Sequence, residues 1–363
     1  MSKNITVAVG MSGGVDSSVA AAILKKEGYN VIGITMEIWD GAIEVQESKK
    51  HACYGPGEDE DIEEATKVCR QLDIPYHVFD LKKEYKEHVL DYFRKEYLAG
   101  RTPNPCVVCN HRLKFGLLID KEREAGLKFD YFATGHYARV NSDEGRYFLE
   151  KARDLTKDQT YFLRSLTSVQ LEKIIFPLGN MLKTEVREVA EEMDLVVAHR
   201  IESQDFIAGG DYSPLFSDTE IKPGEIVNDK GEILGSHKGI IHYTVGQRKG
   251  LGLSNKTPLY VLRVDAENNR IIVTDKENLF VEGLIASDVH MNLPGAFDSP
   301  VKIKARIRQK HKEADAVITR IDEDKVKVIF DNPQLSVTPG QSIVFYNNDI
   351  VLGGGIIESS IES

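Results

Sequence analysis

Gly10-Met11-Ser12-Gly13-Gly14-Val15-Asp16-Ser17-Ser18 follows the apolar run Ile5-Thr6-Val7-Ala8-Val9 and precedes Val19, Ala20, Ile23 and Leu24 at helical spacing. A strand that runs into a glycine turn and then a helix opens an α/β sheet. Gly13 and Gly14 carry no side chain, so the backbone there can approach a ligand closely, while Ser12, Ser17 and Ser18 set hydroxyls near the start of the helix. Free N–H groups and the positive end of the helix dipole suit an anion at that place. No Gly-Lys-Ser/Thr closes the turn, so a kinase-like or GTPase-like phosphate site is not supported.

The chain beyond this turn repeats the same grammar. Val31–Met36 reads as a second strand, Asp59–Leu72 as a helix with an acidic first turn, and Tyr76–Leu81 as a third strand. A helix is expected near Glu84–Tyr97, a cysteine-bearing loop at Arg101–Asn110, another helix from about Leu113, and a strand at Tyr131–Thr134 running into Gly135-His136. Strands alternating with helices predict a doubly wound parallel sheet, whose ligands lie beyond the carboxyl ends of the strands, where Gly10, Met36 and Gly135 fall. From about Tyr212 the texture changes to short β-prone runs: Gly224–Val227, Ile240–Val245, Leu259–Val264 and Arg270–Val273. Strands at Ala316–Ile321, Lys325–Phe330 and Ser342–Tyr346 then point to a closed antiparallel barrel. The expected division is 1–211 for the α/β domain, 212–283 for a small β-rich domain and 284–363 for the barrel.

A chain of 363 residues with 41% hydrophobic and 28% charged side chains has the composition of a soluble globular protein. It shows no apolar run near the roughly 20 residues of a membrane span and no signal-peptide pattern at its start, so a cytoplasmic protein without a membrane partner is expected. The formal charge of -11 argues mildly against wholesale nucleic-acid binding, which then rests on local patterning. Val301–Lys312 supplies one: Lys302, Lys304, Arg306, Arg308, Lys310 and Lys312 fall on every second position, opposite Val301, Ile303, Ala305 and Ile307. In a strand these cations share one face, and six like charges repel unless a polyanion or interleaved acids such as Glu313 and Asp315 offset them.

Four cysteines, Cys53, Cys69, Cys106 and Cys109, all lie in the first third of the chain, which argues against a disulfide-stapled fold and leaves metal or sulfur chemistry open. Cys106 and Cys109 form a CxxC in a proline-stiffened loop, a spacing shared by zinc half-sites, redox pairs and iron–sulfur ligands. Cys69, beside Val68 and Leu72 in a helical pattern, reads as core.

The SGGVDS turn resembles the pyrophosphate-binding loop of the PP-loop ATP pyrophosphatases, which implies that Gly10, Met11, Ser12, Gly13, Gly14, Val15, Asp16 and Ser17 grip the pyrophosphate end of ATP. Asp16 would help to hold Mg2+. With it come GRTPNPxxxCN at Gly100–Asn110, ATGHYAR at Ala133–Arg139, KDQTYFL at Lys157–Leu163, HYTVGQRKGLG at His242–Gly252, TPGQS at Thr338–Ser342 and LGGGII at Leu352–Ile357. Together these resemble the tRNA-specific 2-thiouridylases along essentially the whole chain. The resemblance implies that ATP adenylates the C2 oxygen of a wobble uridine and that sulfur displaces AMP. It makes Cys109 the thiol nucleophile, Met36 and Gly135 adenine contacts, and Asn104, Pro105 and Cys106 the side facing the target base. His136, Lys157, Asp158, Gln159, Arg306, Ile307 and Gln341 match positions that touch tRNA.

Two departures bear on the sulfur step. Many members carry a second catalytic cysteine in a segment matching Ser203-Gln204-Asp205-Phe206-Ile207, where this chain has Asp205, and no cysteine follows Cys109. Cys106 also stands where many members have aspartate. Two routes remain open: Cys53, Cys106 and Cys109 hold a 4Fe-4S cluster with one open iron for sulfide, or Cys109 bears a persulfide that Cys106 resolves as a disulfide. The missing distant cysteine and the added nearby one favour the cluster. The sulfur donor is a persulfide carrier or sulfide. Rival readings are a PP-loop amidotransferase or synthetase acting on a small molecule, and a non-catalytic RNA-binding protein with a nucleotide switch.

Overall fold

The structure of the protein is a computed structural model that describes residues 4–43, 45, 52–201, 205–207, 210–292 and 300–362. It divides into two compact units. The first comprises Met1–Val89, Cys106–Pro214 and Asp349–Val351, and the second Leu90–Pro105, Leu215–Asn348 and Leu352–Ser363.

The first unit holds β1 (Thr6–Gly10), β2 (Asn30–Glu37), β3 (Ala52–Tyr54), β4 (Tyr76–Asp80), β5 (Tyr131–Thr134), the hairpin β6 (Ala138–Asp143) and β7 (Arg146–Lys151), β8 (Ile174–Ile175) and β9 (Asp205–Ile207). Five of these form a parallel sheet in the order β4-β2-β1-β5-β8. Central β1 reads as a continuous apolar run because both its faces are covered, with Val7, Ala8 and Val9 fully buried. The helix α1 (Val15–Lys26) leaves the glycine turn and buries Val19, Ala20, Ala21, Ala22 and Leu24 against that sheet. Gly33 of β2 makes room for Cys69, whose sulfur would stand 2.6 Å from an added Cβ. That packing bears out the core reading of Cys69, a thiol that burial pushes up to about 12.

Two helical segments differ from the sequence expectation. The helix expected near Glu84–Tyr97 is Lys82–Tyr85, a π-helical stretch at Lys86–Leu90, and then Asp91–Leu98. The expected cysteine loop is extended only to Asn104. Pro105, whose fixed φ suits a first helical turn, opens a helix at Pro105–Val108 that continues as π-helix through Cys109–Leu117, broken at Phe115 (φ -102, ψ 15).

In the second unit β10 (Gly224–Asn228), β11 (Ile233–His237), β12 (Tyr260–Asp265) and β13 (Arg270–Thr274) form a sheet in the order β11-β10-β13-β12. Ile226, Val261, Ile271 and Val273 fill its core. The run Ile240–Val245 is not the strand its apolar residues suggested. It makes a short 3-10 turn at Ile240–His242, between Gly239 at φ 144 and Gly246 at φ 84. The remaining strands are β14 (Phe280–Met291), β15 (Val301–Arg306), β16 (Ala314–Arg320), β17 (Val326–Leu335), β18 (Ser342–Asn347) and β19 (Ile350–Ile361). They run β14-β17-β16-β15-β18-β19, and pairing of β14 with β19 closes the expected barrel. The basic strand stops at Arg306 instead of Lys312, because the chain turns where the His311 N–H donates to the Arg308 carbonyl.

Candidate active site

The glycine turn is held by its own residues. Met11 N–H donates to the Ile34 carbonyl at 2.7 Å, and the Thr35 hydroxyl donates to the Met11 carbonyl at 2.7 Å. Ser17 Oγ accepts from Ser12 N–H and donates to the Gly14 carbonyl, each at 3.2 Å, and Ser18 Oγ donates to the same carbonyl at 2.8 Å. These hydroxyls shape the turn. Among the described residues no hydrogen bond engages the N–H groups of Gly13 or Gly14, which are left to receive an anion. Gly135, at the end of β5, lies so close that an added Cβ would stand 2.6 Å from Ser17 N. Half-buried Met36 is the last residue but one of β2, so Gly10, Met36 and Gly135 fall at the carboxyl ends of neighbouring strands as expected.

Two cations from far along the chain reach this turn. Lys183 Nζ lies 2.7 and 2.9 Å from the two carboxylate oxygens of Asp16, and Tyr137 OH donates to Oδ1 at 2.9 Å. Arg200 Nη1 donates to the Gly13 carbonyl at 2.7 Å while its other arm pairs with Asp61. Sequence reading missed Lys183 and Arg200. One signal existed for Lys183: it begins the helix Lys183–Glu192, where the dipole disfavours a cation unless an acid faces it.

The three thiols named above share one neighbourhood. Cys53 lies on β3, which pairs in parallel with β9, and its thiol donates to the Phe206 carbonyl at 3.7 Å. Ala52 is in register with Asp205, so Cys53 runs beside the segment where many 2-thiouridylases have their second cysteine. Ser203 and Gln204 of that segment lie outside the described residues. Burial raises the Cys53 thiol well above its ordinary range, with Cys106 and Cys109 adding to the rise and Lys114 opposing it. As a residue Cys53 is nevertheless open to solvent. Burial also raises Cys109, again opposed by Lys114. Buried Tyr85 stacks on Tyr54 at 5.4 Å, and its phenol is pushed up by burial and then by Cys53, Cys109 and Cys106. No three His, Cys, Asp or Glu side chains among the described residues converge on a single ion.

His136 accepts or donates at Nδ1 to Thr134 Oγ1 at 2.8 Å and packs against Phe115 and Phe176. Burial, then Lys114, lowers its pKa well below the ordinary value and keeps the ring neutral. Other residues matched to tRNA contacts face inward. Asp158 is 2% exposed and accepts from Ala152 N–H and the Thr160 hydroxyl. Gln159 Oε1 accepts from Tyr137 N–H, and Ile307 is 1% exposed in the barrel. Lys157 and Asn104 are half-buried, and Pro105 is buried. Half of the row of cations is engaged within the barrel: Lys304 pairs with Asp315, Arg306 with Glu313, and Arg308 donates to the Leu335 and Ser336 carbonyls. The interleaved acids thus offset two of the strand's six charges.

An α/β nucleotide-binding domain followed by two β modules is the class these features define. The family model for the tRNA methyl transferase HUP domain matches residues 5–208, that for the tRNA methyl transferase PRC-barrel domain matches 216–275, and that for the aminomethyltransferase beta-barrel domain matches 281–357. A tRNA-specific 2-thiouridylase MnmA of Acetivibrio thermocellus is 47% identical over 359 residues, 97% of this chain and 99% of that protein. A tRNA-specific 2-thiouridylase MnmA 2 of Thermoanaerobacter pseudethanolicus is 48% identical over 370 residues, covering 100% of both chains. A tRNA-specific 2-thiouridylase MnmA of Clostridioides difficile is 44% identical across 99% of this chain and 100% of its own. The chain belongs to the tRNA-specific 2-thiouridylase MnmA family. A solved 4-thiouridine synthetase with RNA and ATP aligns with 55% of this chain and 44% of its own, at 19% identity and a TM-score of 0.37, too low a likeness to add to that assignment.

Proposed function

We infer that this protein puts sulfur on C2 of the wobble uridine of tRNA in the cytoplasm. ATP activates the C2 oxygen as an adenylate with release of pyrophosphate, and sulfur then forms the C–S bond as AMP departs with the former C2 oxygen. One observation supports this reading above the rest: a single compact unit holds both an anion-ready glycine turn and a group of three thiols. A small-molecule synthetase needs the first and has no use for the second. The family-model name speaks of methyl transfer, whereas the thiols favour the sulfur chemistry in the relatives' names.

The N–H groups of Gly13 and Gly14 and the start of α1 receive the phosphates, and Lys183 supplies the cation that the turn itself lacks. Asp16 would hold Mg2+, which neutralises phosphate charge when bound, with Lys183 turning from the carboxylate to a phosphate oxygen. Met36 and Gly135 flank the adenine. Cys109 is the nucleophilic thiol, and Cys53, Cys106 and Cys109 would hold a 4Fe-4S cluster that, when bound, offers an open iron to sulfide. Asn104 and Pro105 face the base, and His136 and Lys157 meet tRNA as side chains that are not fully buried. The partners are tRNA and a sulfur donor.

Incubation of anaerobically purified protein with unmodified tRNA, ATP and sulfide should yield 2-thiouridine and an equal amount of AMP. AMP release that ignores tRNA would overturn the reading. Iron and acid-labile sulfide should be present in the wild type and lost in Cys53→Ala, Cys106→Ala and Cys109→Ala. Full activity in iron-free protein with a persulfide donor in place of sulfide would return the sulfur step to Cys109, which takes the sulfane sulfur as a persulfide, and Cys106, which forms the disulfide as that sulfur leaves on C2.

A further inference from the structure

We propose that Tyr137 and Asp154 are positioning residues that tie the segment 154–159 to Asp16 of the glycine turn, so that tRNA on the segment and ATP on the turn raise each other's affinity. The proposal rests on the thiolation reading, which places tRNA at Lys157, and deepens it by giving that contact a route to the ATP site.

Asp16 is held by two side chains, and both are anchored in the same stretch of chain, all within the first unit. The first route runs through Tyr137, whose OH donates to Asp16 Oδ1 at 2.9 Å. Gln159 grips its backbone twice: Tyr137 N–H donates to Gln159 Oε1 at 2.8 Å, and Gln159 N–H donates to the Tyr137 carbonyl at 2.9 Å. The second route runs through Lys183, whose Nζ reaches both oxygens of Asp16 and lies 5.6 Å from the centre of the Tyr137 ring. Lys183 N–H donates to Asp154 Oδ2 at 3.0 Å. The other oxygen of Asp154 accepts from Thr156 N–H at 3.1 Å and from the Thr156 hydroxyl at 2.6 Å, and Lys157 N–H donates to the Asp154 carbonyl at 3.0 Å.

One carboxylate thus folds the turn before Lys157 and satisfies a free N–H at the start of the helix Lys183–Glu192, where negative charge is favoured. The bonds close a ring from Asp16 through Tyr137, Gln159, the turn 154–157 and Lys183 back to Asp16. The segment also has two sides. Leu155, at 65% exposure, and Thr156 face solvent and Lys157 is half-buried, whereas Asp158 and Thr160 are buried. A polyanion that orders the outer side therefore orders the anchors of both groups that hold Asp16, and ATP then meets an acid already in place. Linkage makes the effect mutual: the factor by which tRNA tightens ATP is the factor by which ATP tightens tRNA.

The test uses the full-length protein, unmodified tRNA, Mg2+ and α,β-methylene-ATP, whose bridging carbon blocks pyrophosphate release, with affinities read by calorimetry. Saturating tRNA should tighten binding of the analogue to the wild type by at least about fivefold, and saturating analogue should tighten tRNA by the same factor. Tyr137→Phe, which keeps the ring and removes one donor, and Asp154→Ala, which frees the turn from the helix, should each bring that factor below about twofold. Thr156→Val should lower it in the same direction and carries the test should Asp154→Ala fail to fold. Without tRNA, the analogue with Mg2+ should bind Tyr137→Phe about tenfold more weakly, since Asp16 loses the hydroxyl that orients it. A wild-type factor of one, or a factor that survives the substitutions, would overturn the proposal. A wild type that binds no tRNA would sink the thiolation reading instead, and unchanged affinity of Tyr137→Phe for the analogue would then overturn the tie to Asp16 on its own.

Discussion

The glycine turn and the basic strand are both places where cations gather, and they use them in opposite ways. At the turn, Lys183 and Arg200 are held by Asp16 and Asp61 beside N–H groups that have no hydrogen-bond partner among the described residues. The paired cations lie beside the start of α1, where the helix dipole favours negative charge. On β15 and the turn after it, Lys304, Arg306 and Arg308 are spent on Asp315, Glu313 and backbone carbonyls, and Arg306 also lies 5.2 Å from the centre of the Tyr346 ring. There the pairs close the barrel's own surface. Periodicity shows where cations sit; only their partners show whether they serve a ligand or the fold.

The sharpest way to break this contrast is at Lys183. Lys183→Met should lower the adenylation rate, read as tRNA-dependent pyrophosphate release at saturating ATP, by about a hundred- to a thousandfold, the cost of removing a preorganised charge from a transition state. Stability should fall too, by roughly 3 kcal/mol, since Asp16 loses its counter-ion where Lys183 is 10% exposed and Asp16 30%. Adding Asp16→Asn should restore the melting temperature and not the activity. Recovery of both would make the pair structural, like those of the barrel.

Glu122 supplies the opposite extreme, a buried carboxyl with no hydrogen-bond partner among the described residues. It is fully buried in the helix Leu118–Glu124, neither carboxylate oxygen has a hydrogen-bond partner, and burial pushes its pKa up to about 8, against a small lowering by Arg123. The folded protein therefore holds a proton that the unfolded chain releases near the ordinary carboxylate value of 4.5. Stability is unaffected below that value, falls as pH rises from about 4.5 to about 8, and is lower by on the order of a few kcal/mol above it. Glu122→Met, similar in length and without charge, should flatten the melting temperature between pH 6 and 9 (a range chosen to bracket about 8). A variant curve that still fell like the wild type would locate the titrating group elsewhere.

The parallel sheet was legible because burial on both faces leaves an unbroken apolar run, as at Val7–Val9, and because turn chemistry ends it at Gly10. Ile240–Val245 looked alike and was misread. Its flanking glycines take positive φ, which an apolar count does not register. Cys53 is placed by the pairing of β3 with β9, a contact across 153 residues that no local pattern announces. Lys183 and Arg200 were invisible for the same reason, standing 167 and 187 residues from the turn they serve. Of the basic strand, the alternation was legible, and so were Glu313 and Asp315, which pair with Arg306 and Lys304; which cations they would take was not.

The smallest effects should come from what the barrel leaves over. Lys302, Lys310 and Lys312 are exposed, and no ion pair to them occurs among the described residues. Each one that meets a phosphate releases a counter-ion on binding, so each Lys→Ala change should weaken tRNA binding a few-fold and lower the slope of log affinity against log salt by about 1. Arg306→Ala should behave differently, because its guanidinium is 12% exposed between Glu313 and Tyr346. Its removal strands a half-buried carboxylate and uncovers a ring, which lowers stability by roughly 1–3 kcal/mol and leaves the salt slope nearly unchanged. The two measurements, slope and melting temperature, therefore sort the strand's cations into those that read RNA and those that hold the barrel. A salt slope that fell for Arg306→Ala at constant melting temperature would put Arg306 among the former and make the strand resemble the glycine turn after all.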